Sequence, residues 1–354
     1  MRKRLTLIAG ALIVLASLLS IAQAEEPKQE GKFFGKVFFD YFHDFSSTEI
    51  DPSRISPAGQ KNGFEFTRIY FGYDRDIAEN FSIRFLMDVE NTKDADNKKA
   101  WRPFMKNAYL AINCRLIQGS KWYLGMIGMP FVGVPESHWG YRSLYKLPMD
   151  YVGWGNTADI GIGWKGIWQD MYQLEFAVAN GAGFKNAEAD MFKLIELRPT
   201  AYLLEKALTV SAFGSYEAIS DGSNALIIAL MAGYDHRVFR IGGEYSLRSA
   251  SDGYLKSDST LADLQQNNIS FWLHLKAMEK LSVLGRYDLY EPNTDIEKDK
   301  ASALIVGLDF RPAKNVHFIP NVQMQMNEKE DDSLTSYEES ASQNTFFVTL
   351  EYGW

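Results

Sequence analysis

Residues 81–90 read FSIRFLMDVE. Phe81, Ile83, Phe85, Met87 and Val89 fall on one parity, and Ser82, Arg84, Leu86, Asp88 and Glu90 on the other. Successive side chains of a strand point to opposite faces, so this order makes a strand with one apolar and one largely polar face. A helix would mix the two sets around its circumference. The same period returns in 172–179, where Tyr172, Leu174, Phe176 and Val178 alternate with Gln173, Glu175, Ala177 and Ala179. It returns again in 238–248, with Phe239, Ile241, Gly243, Tyr245 and Leu247 opposite Arg240, Gly242, Glu244, Ser246 and Arg248.

Followed outward in both directions, the pattern predicts about sixteen strands. They lie near 33–45, 64–74, 81–91, 104–114, 121–129, 158–167, 172–180, 192–203, 207–216, 224–235, 237–249, 268–277, 280–291, 301–311, 316–327 and 344–354. The two faces separate least in 104–114, 121–129 and 192–203, so fourteen or eighteen strands stay open. Short connections such as Arg75–Asn80, Arg115–Ser120, Trp168–Met171 and Pro312–Asn315 contrast with the long polar Ser46–Gly63, Thr92–Pro103, Ala250–Asn267 and Glu328–Gln343. That rhythm belongs to antiparallel hairpins with one tight end and one elaborated end.

A large β-sandwich or propeller also alternates. Here, however, Phe, Tyr, Ile and Leu share one face of nearly every strand while Arg, Asp, Glu and Gln share the other. An apolar outside in lipid and a polar inside in water require that split. The expected fold is all-β: a transmembrane antiparallel β-barrel, a single domain over 33–354. Closing the first strand on the last removes the unpaired edges.

Composition fits this reading and excludes others. The 354 residues are 46% apolar and 14% aromatic, with a mean hydropathy of −0.23. That apolar fraction is too high for a disordered chain. After residue 24 the longest purely apolar run is Ala225–Ala232, whereas a transmembrane helix needs roughly 20 residues. The formal charge of −8 argues against nucleic acid as a partner.

Residues 1–24 read as a cleavable secretory signal peptide: basic Arg2, Lys3 and Arg4, an apolar run from Leu5 to Ile21, then Ala22-Gln23-Ala24. An N-terminal membrane anchor is the alternative. Residues 25–32 form a short polar segment before the barrel. Without the three leader bases the balance of −8 becomes −11. Cys114 is the only cysteine, so no intramolecular disulfide holds this exported chain.

The last stretch, Asn344–Trp354, carries Phe346, Val348, Leu350, Tyr352 and Trp354 on one face. It resembles the C-terminal signal by which the barrel-assembly machinery recognises bacterial outer-membrane barrels. The polar parity places both signs of charge on the inner wall: Lys36, Asp40, Arg68, Arg84, Asp88, Arg198, Arg240, Glu244, Arg286 and Asp288, with Glu90, Lys165, Glu175, Glu196, Arg248, Asp309, Arg311 and Glu351 among others. A wall of mixed sign suits a hydrated channel, although any single charge is also explained as half of an ion pair that stiffens the wall.

One segment has no period. Residues 130–157 read PFVGVPESHWGYRSLYKLPMDYVGWGNT, with aromatics at Phe131, Trp139, Tyr141, Tyr145, Tyr151 and Trp154. Long loops rich in aromatics tend to be packed and functional. Folded toward the lumen, this one would line a constriction with Glu136, His138, Arg142, Lys146 and Asp150. The alternative is an external loop packed on a neighbouring loop or subunit.

The run Leu124-Gly125-Met126-Ile127-Gly128-Met129-Pro130-Phe131, followed by Glu136 and Arg142, resembles the phosphate-selective porin O/P family of Gram-negative outer membranes. Members of that family commonly have Gln and Lys where this chain has Met126 and Gly128. The resemblance implies a homotrimeric, water-filled pore in outer-membrane lipid, passing small hydrophilic solutes or ions, among them anions such as phosphate. A structural, partner-enclosing or adhesive barrel is the alternative.

Enzymatic chemistry is not expected. The histidines at 43, 138, 236, 274 and 317 form no H-x-S pair, and His43-Asp44 and Asp235-His236 point to opposite faces. No zinc spacing and no haem-attachment motif is present, so neither metal nor cofactor is indicated. The acidic run Glu328–Asp332 reads as a solvated loop.

Overall fold

Each alternating segment becomes a strand. In the computed structural model the described residues are 30–46, 62–93, 99–220, 223–255, 261–328 and 343–354. The expected signal peptide at 1–24 and nearly all of the acidic stretch after Glu328 lie outside them. Sixteen strands form one closed antiparallel barrel in which every strand pairs with its sequence neighbours and β1 pairs with β16. They are β1 (Lys32–Asp44), β2 (Asn62–Ala78), β3 (Phe81–Lys93), β4 (Lys99–Asn113), β5 (Ser120–Gly128), β6 (Ala158–Trp168), β7 (Tyr172–Ala179) and β8 (Leu194–Leu203), then β9 (Leu208–Ser220), β10 (Ser223–Asp235), β11 (Phe239–Leu255), β12 (Leu261–Met278), β13 (Leu281–Glu291), β14 (Ala301–Ala313), β15 (Val316–Asn327) and β16 (Gln343–Gly353). Two short helices, α1 (Gly133–Trp139) and α2 (Pro148–Tyr151), stand between β5 and β6.

The register carries one parity around the whole circumference. Glu175 lies opposite Arg198, Ala229 opposite Phe213, Met231 opposite Glu244 and Gly242 opposite Trp272. Trp272 in turn faces Arg286, Ile305 faces Gln323, and Asp40 faces Thr349 across the closing seam. The other parity is exposed and apolar: Phe64, Ile228, Leu230, Ile241 and Phe271 are among its members. Closure satisfies every strand's backbone in the pairing direction, where each orphaned group in lipid would cost several kcal/mol.

Two features explain where the sequence pattern blurred. In β3–β4 the register shifts between Leu86 and Met87, because Leu86 pairs with Asn107 but Met87 with Met105. Lys106 is the extra residue, and the bulge swaps the parity of β4 at that point. That is why 104–114 shows poorly separated faces. The apolar run Ala225–Ala232 has another cause. Leu226, Ile228 and Leu230 are exposed on the outside, while Ile227, Ala229 and Met231 are buried within a core that lies inside the barrel.

The strands also reach further than the pattern does. β11 continues to Leu255 and β12 begins at Leu261, so most of the predicted loop 250–267 is a paired ribbon. β4 likewise starts at Lys99, inside the predicted connection 92–103. The start of β1 and the end of β16 lie at the end of the tight turns, and the 129–157 segment leaves from the opposite end.

Candidate functional site

The segment 129–157 closes at its neck, where the Met129 amide donates to the Thr157 carbonyl at 3.1 Å. Beyond the neck most of its partners are inward-facing side chains of the wall from β8 to β15, and the Asn156 amide donates to the Gly181 carbonyl at 3.2 Å. The Arg198 guanidinium donates to the Pro130 carbonyl at 2.6 Å and also to the Phe131 carbonyl. Arg240 reaches the carbonyl of His138 at 3.2 Å. Arg286 reaches the carbonyls of Tyr145 at 3.4 Å and Lys146 at 2.7 Å, and the Gln323 amide reaches that of Leu144 at 3.1 Å. The Tyr141 hydroxyl donates to Asp309 at 2.9 Å. The segment therefore lies across the inside of the barrel, as the lumen-facing expectation required.

Its aromatic content is what makes that position stable. Phe131, Trp139, Leu147 and Met149 are fully buried. Phe131 packs on Phe213 with ring centroids 5.9 Å apart, and Trp139 packs on His274 at 5.3 Å. Arg286 lies over the Trp139 ring at 5.1 Å, so one guanidinium serves both a carbonyl pair and an aromatic face. Helix α1 ends on Gly140, whose φ of 75° and amide bond to the Glu136 carbonyl form a left-handed cap. Under α1 the cross-strand pair Gly233 and Gly242 leaves a notch. A Cβ on Gly233 would sit 2.2 Å from His138 Nε2, and one on Gly242 would sit 2.6 Å from Trp272.

Four of the five predicted constriction residues come together. Arg142 bridges Glu136 at 2.9 Å and Asp150 at 3.1 Å, and Lys146 adds a contact to Asp150 at 3.6 Å. Burial raises the Glu136 carboxyl above its usual range, against the opposing pull of Arg142. Burial lowers the Lys146 ammonium, against Asp150. His138 is not part of this quartet. It turns to the wall, where its Nδ1 accepts the indole N–H of Trp272 at 2.9 Å. Burial lowers its pKa to about 4, despite Asp235 nearby. A neutral ring is what the Trp272 bond needs, because Nδ1 must keep its lone pair.

The predicted wall residues divide into two groups. Arg198, Arg240, Arg286, Asp288 and Glu244 belong to the wall crossed by the segment. Arg198 and Arg286 are fully buried, which corrects the expectation that they line water: the segment covers them, and they act as its anchors. Asp288 accepts both arms of Arg286, at 2.8 and 2.7 Å. Glu244 is buried on the inner face of β11.

The second group occupies β1–β3. Arg68 bridges Asp88 at 3.0 Å and Glu90 at 2.8 Å. Arg84 grips Asp74 with two bonds, at 2.7 and 2.5 Å. Lys36 pairs with Glu351 at 2.6 Å, and Asp40 accepts the Thr349 hydroxyl. Arg68 and Lys106 are among the charges that act on Glu136, and Arg68 also acts on Lys146. The quartet and this wall therefore lie within electrostatic reach of one another.

Several participants were not singled out in the sequence. Lys106, which contacts Asp88 at 3.4 Å, was hidden by the bulge. Lys185 reaches Glu90 from the connection between β7 and β8. Trp272 did leave a signal: an indole on the polar parity of β12, between Ser270 and His274, marks an inner face that is packed rather than wet.

The sequence matches no protein-family model. It also matches no curated protein. Among solved structures, the barrel is similar to the outer-membrane channel DcaP of Acinetobacter baumannii, with a TM-score of 0.65 at 12% identity over 94% of this chain and 99% of that one. It is similar to an anion-selective porin from Comamonas acidovorans, with a TM-score of 0.64 at 13% identity over 92% of this chain and 99% of that chain. The Salmonella typhi OmpF, solved with daunomycin, gives a TM-score of 0.64 at 11% identity over 92% and 97%. At such identities the likeness concerns architecture, and the chain has the closed sixteen-stranded fold of these outer-membrane porins and channels.

Proposed function

We propose that this protein is a porin of the bacterial outer membrane, a water-filled passage for passive diffusion of small hydrophilic solutes or ions and not an enzyme. One observation carries the reading: a segment tied to one wall of a closed barrel turns a charged quartet toward a charged opposite wall. Such an arrangement narrows a passage without plugging it, and places fixed charge where a solute must cross.

Among cargoes, anions such as phosphate fit best. Three lysines hold their heads out further than the acids they pair with. The side chains of Lys36, Lys146 and Lys185 are 49%, 40% and 39% exposed, whereas those of Asp88, Glu90 and Asp150 are at or below 10%. A mobile ion meets ammonium groups first, and fixed charge in a narrow passage selects its opposite. The similar Comamonas porin is described as anion-selective.

Export by a cleaved 1–24 leader, insertion through the β16 signal and assembly as a homotrimer complete the reading. Refolded protein in planar bilayers tests it. Discrete conductance steps, with a reversal potential in a salt gradient on the anion side, are expected. A closed barrel without conductance would overturn the channel, and a cation-side potential would overturn the preference. Native gel electrophoresis tests the trimer.

A further inference from the structure

At the long-loop end of the barrel a cavity of about 70 Å³ opens between α2 and the inner face of β12–β15. Tyr145 and Tyr151 form one side, with rings stacked at 4.9 Å and 24°. The Gln325 amide donates to both of their hydroxyls, at 2.8 and 3.1 Å, and so holds the pair in place. Across from them stand Asn268, Asp288 and Ser302. Asn268 is 1% exposed, and neither atom of its amide has a hydrogen-bond partner in the protein. Leaving a buried amide unpaired costs a few kcal/mol, so this group is poised for something that enters the cavity.

The lining also says what should enter. Asp288 is the only ionisable acid or base there, and both its oxygens are taken: Oδ1 by Ser270 at 2.5 Å and Arg286 at 2.8 Å, Oδ2 by Arg286 at 2.7 Å. An ion would give up hydration and find no free countercharge. A neutral guest with several hydroxyls would find the opposite. The Asn268 amide offers one donor side and one acceptor side, Ser302 offers both, and the tyrosine faces with Pro148 and Val152 offer apolar surface to C–H groups. The volume holds roughly five water-sized groups, which is the size of a triol or of one edge of a sugar ring.

We infer that this cavity is a binding subsite for a small neutral polyhydroxylated solute, with Asn268 as its hydrogen-bonding floor and the Tyr145–Tyr151 pair as its platform. It rests on the porin reading only for how the solute arrives.

Saturation-transfer NMR on the refolded protein in detergent micelles, with glycerol and D-glucose as probes, tests the subsite directly. A saturable signal on the C–H protons of at least one probe is expected. Asn268→Leu keeps the branched shape and removes both polar atoms, and should weaken binding at least tenfold. Tyr151→Ala, at a half-exposed ring, should remove the C–H transfer with the fold untouched, as checked by circular dichroism and bilayer conductance. Inorganic phosphate should not compete. Absence of a saturable signal from both probes, an equal signal in both variants, or displacement by phosphate would each overturn the subsite. A protein that conducts but does not bind sinks this inference alone. One that binds but does not conduct sinks the porin reading alone.

Discussion

The inner faces of β1–β3 and of β8–β15 have the same alternation and similar residues, yet their charges do different work. On β8–β15 the guanidinium groups of Arg198, Arg240 and Arg286 reach main-chain carbonyls of the 130–157 segment, the last two while also bridging Asp235 and Asp288 of their own wall. On β1–β3 Arg68 and Arg84 bridge sideways to carboxylates of their own wall. The first set fixes where the obstruction sits. On the porin reading, the second sets the field a solute meets. Position on the polar parity therefore says only that a side chain points inward, and what covers it decides whether it anchors or selects.

The sharpest way to break this division is Arg198→Met. It strips a buried charge from two carbonyls at the root of the segment, and breaking such a buried arrangement costs about 3 kcal/mol or more. The temperature at which the folded band converts on heated gels should fall, and single-channel current should become larger and noisier. A matched Arg84→Met on the other wall should leave both nearly unchanged, since that pair is half exposed. Equal effects from the two would erase the distinction.

Gly233→Ala comes next. Its new methyl group would press on the His138 ring and lift α1 from the wall, at a cost of about 1–3 kcal/mol. Current noise should rise without any change in ion preference.

Acid should loosen the same contact. The folded pKa of His138, lowered to about 4, lies below its ordinary value of 6.5. The folded state therefore binds fewer protons than the unfolded one. The stabilisation is full above pH 6.5 and is lost as pH falls toward 4. Noise should grow over that window in the native protein and stay flat in His138→Asn. A flat native profile would show that the Trp272 bond contributes nothing to holding α1.

The smallest effect belongs to the exposed lysines of the segment and of the β7–β8 connection. Lys146→Gln with Lys185→Gln should move the reversal potential toward cations by a few millivolts and leave thermal stability within about 0.5 kcal/mol. A change in stability without one in potential would reverse the roles assigned here.

The barrel was legible because one apolar and one mainly polar parity recur from strand to strand, as in Phe81–Glu90, where Leu86 alone departs. The site was legible in part. Pro130–Thr157 declared itself by carrying six aromatics with no period, and Glu136, Arg142, Lys146 and Asp150 do meet. His138 did not follow, because a sequence does not reveal which way a helix of two turns will roll against a wall. Arg198 and Arg286 were placed on the correct face but assigned to water, since burial by a distant segment leaves no mark on local alternation. Ile227 and Met231, apolar on the inward parity, were the trace of that cover.

Most polar anchors of the segment grip its backbone, beside the side-chain bonds of Tyr141 with Asp309 and His138 with Trp272. Pro130, Phe131, His138, Leu144, Tyr145 and Lys146 are held by their carbonyl oxygens, atoms that every amino acid supplies. Glu136, Arg142 and Asp150 take no part in that grip. Placement and chemistry are thus separable in this barrel: the side chains of Glu136, Arg142 and Asp150 could be rewritten, by evolution or by design, while the frame that presents them stays where it is.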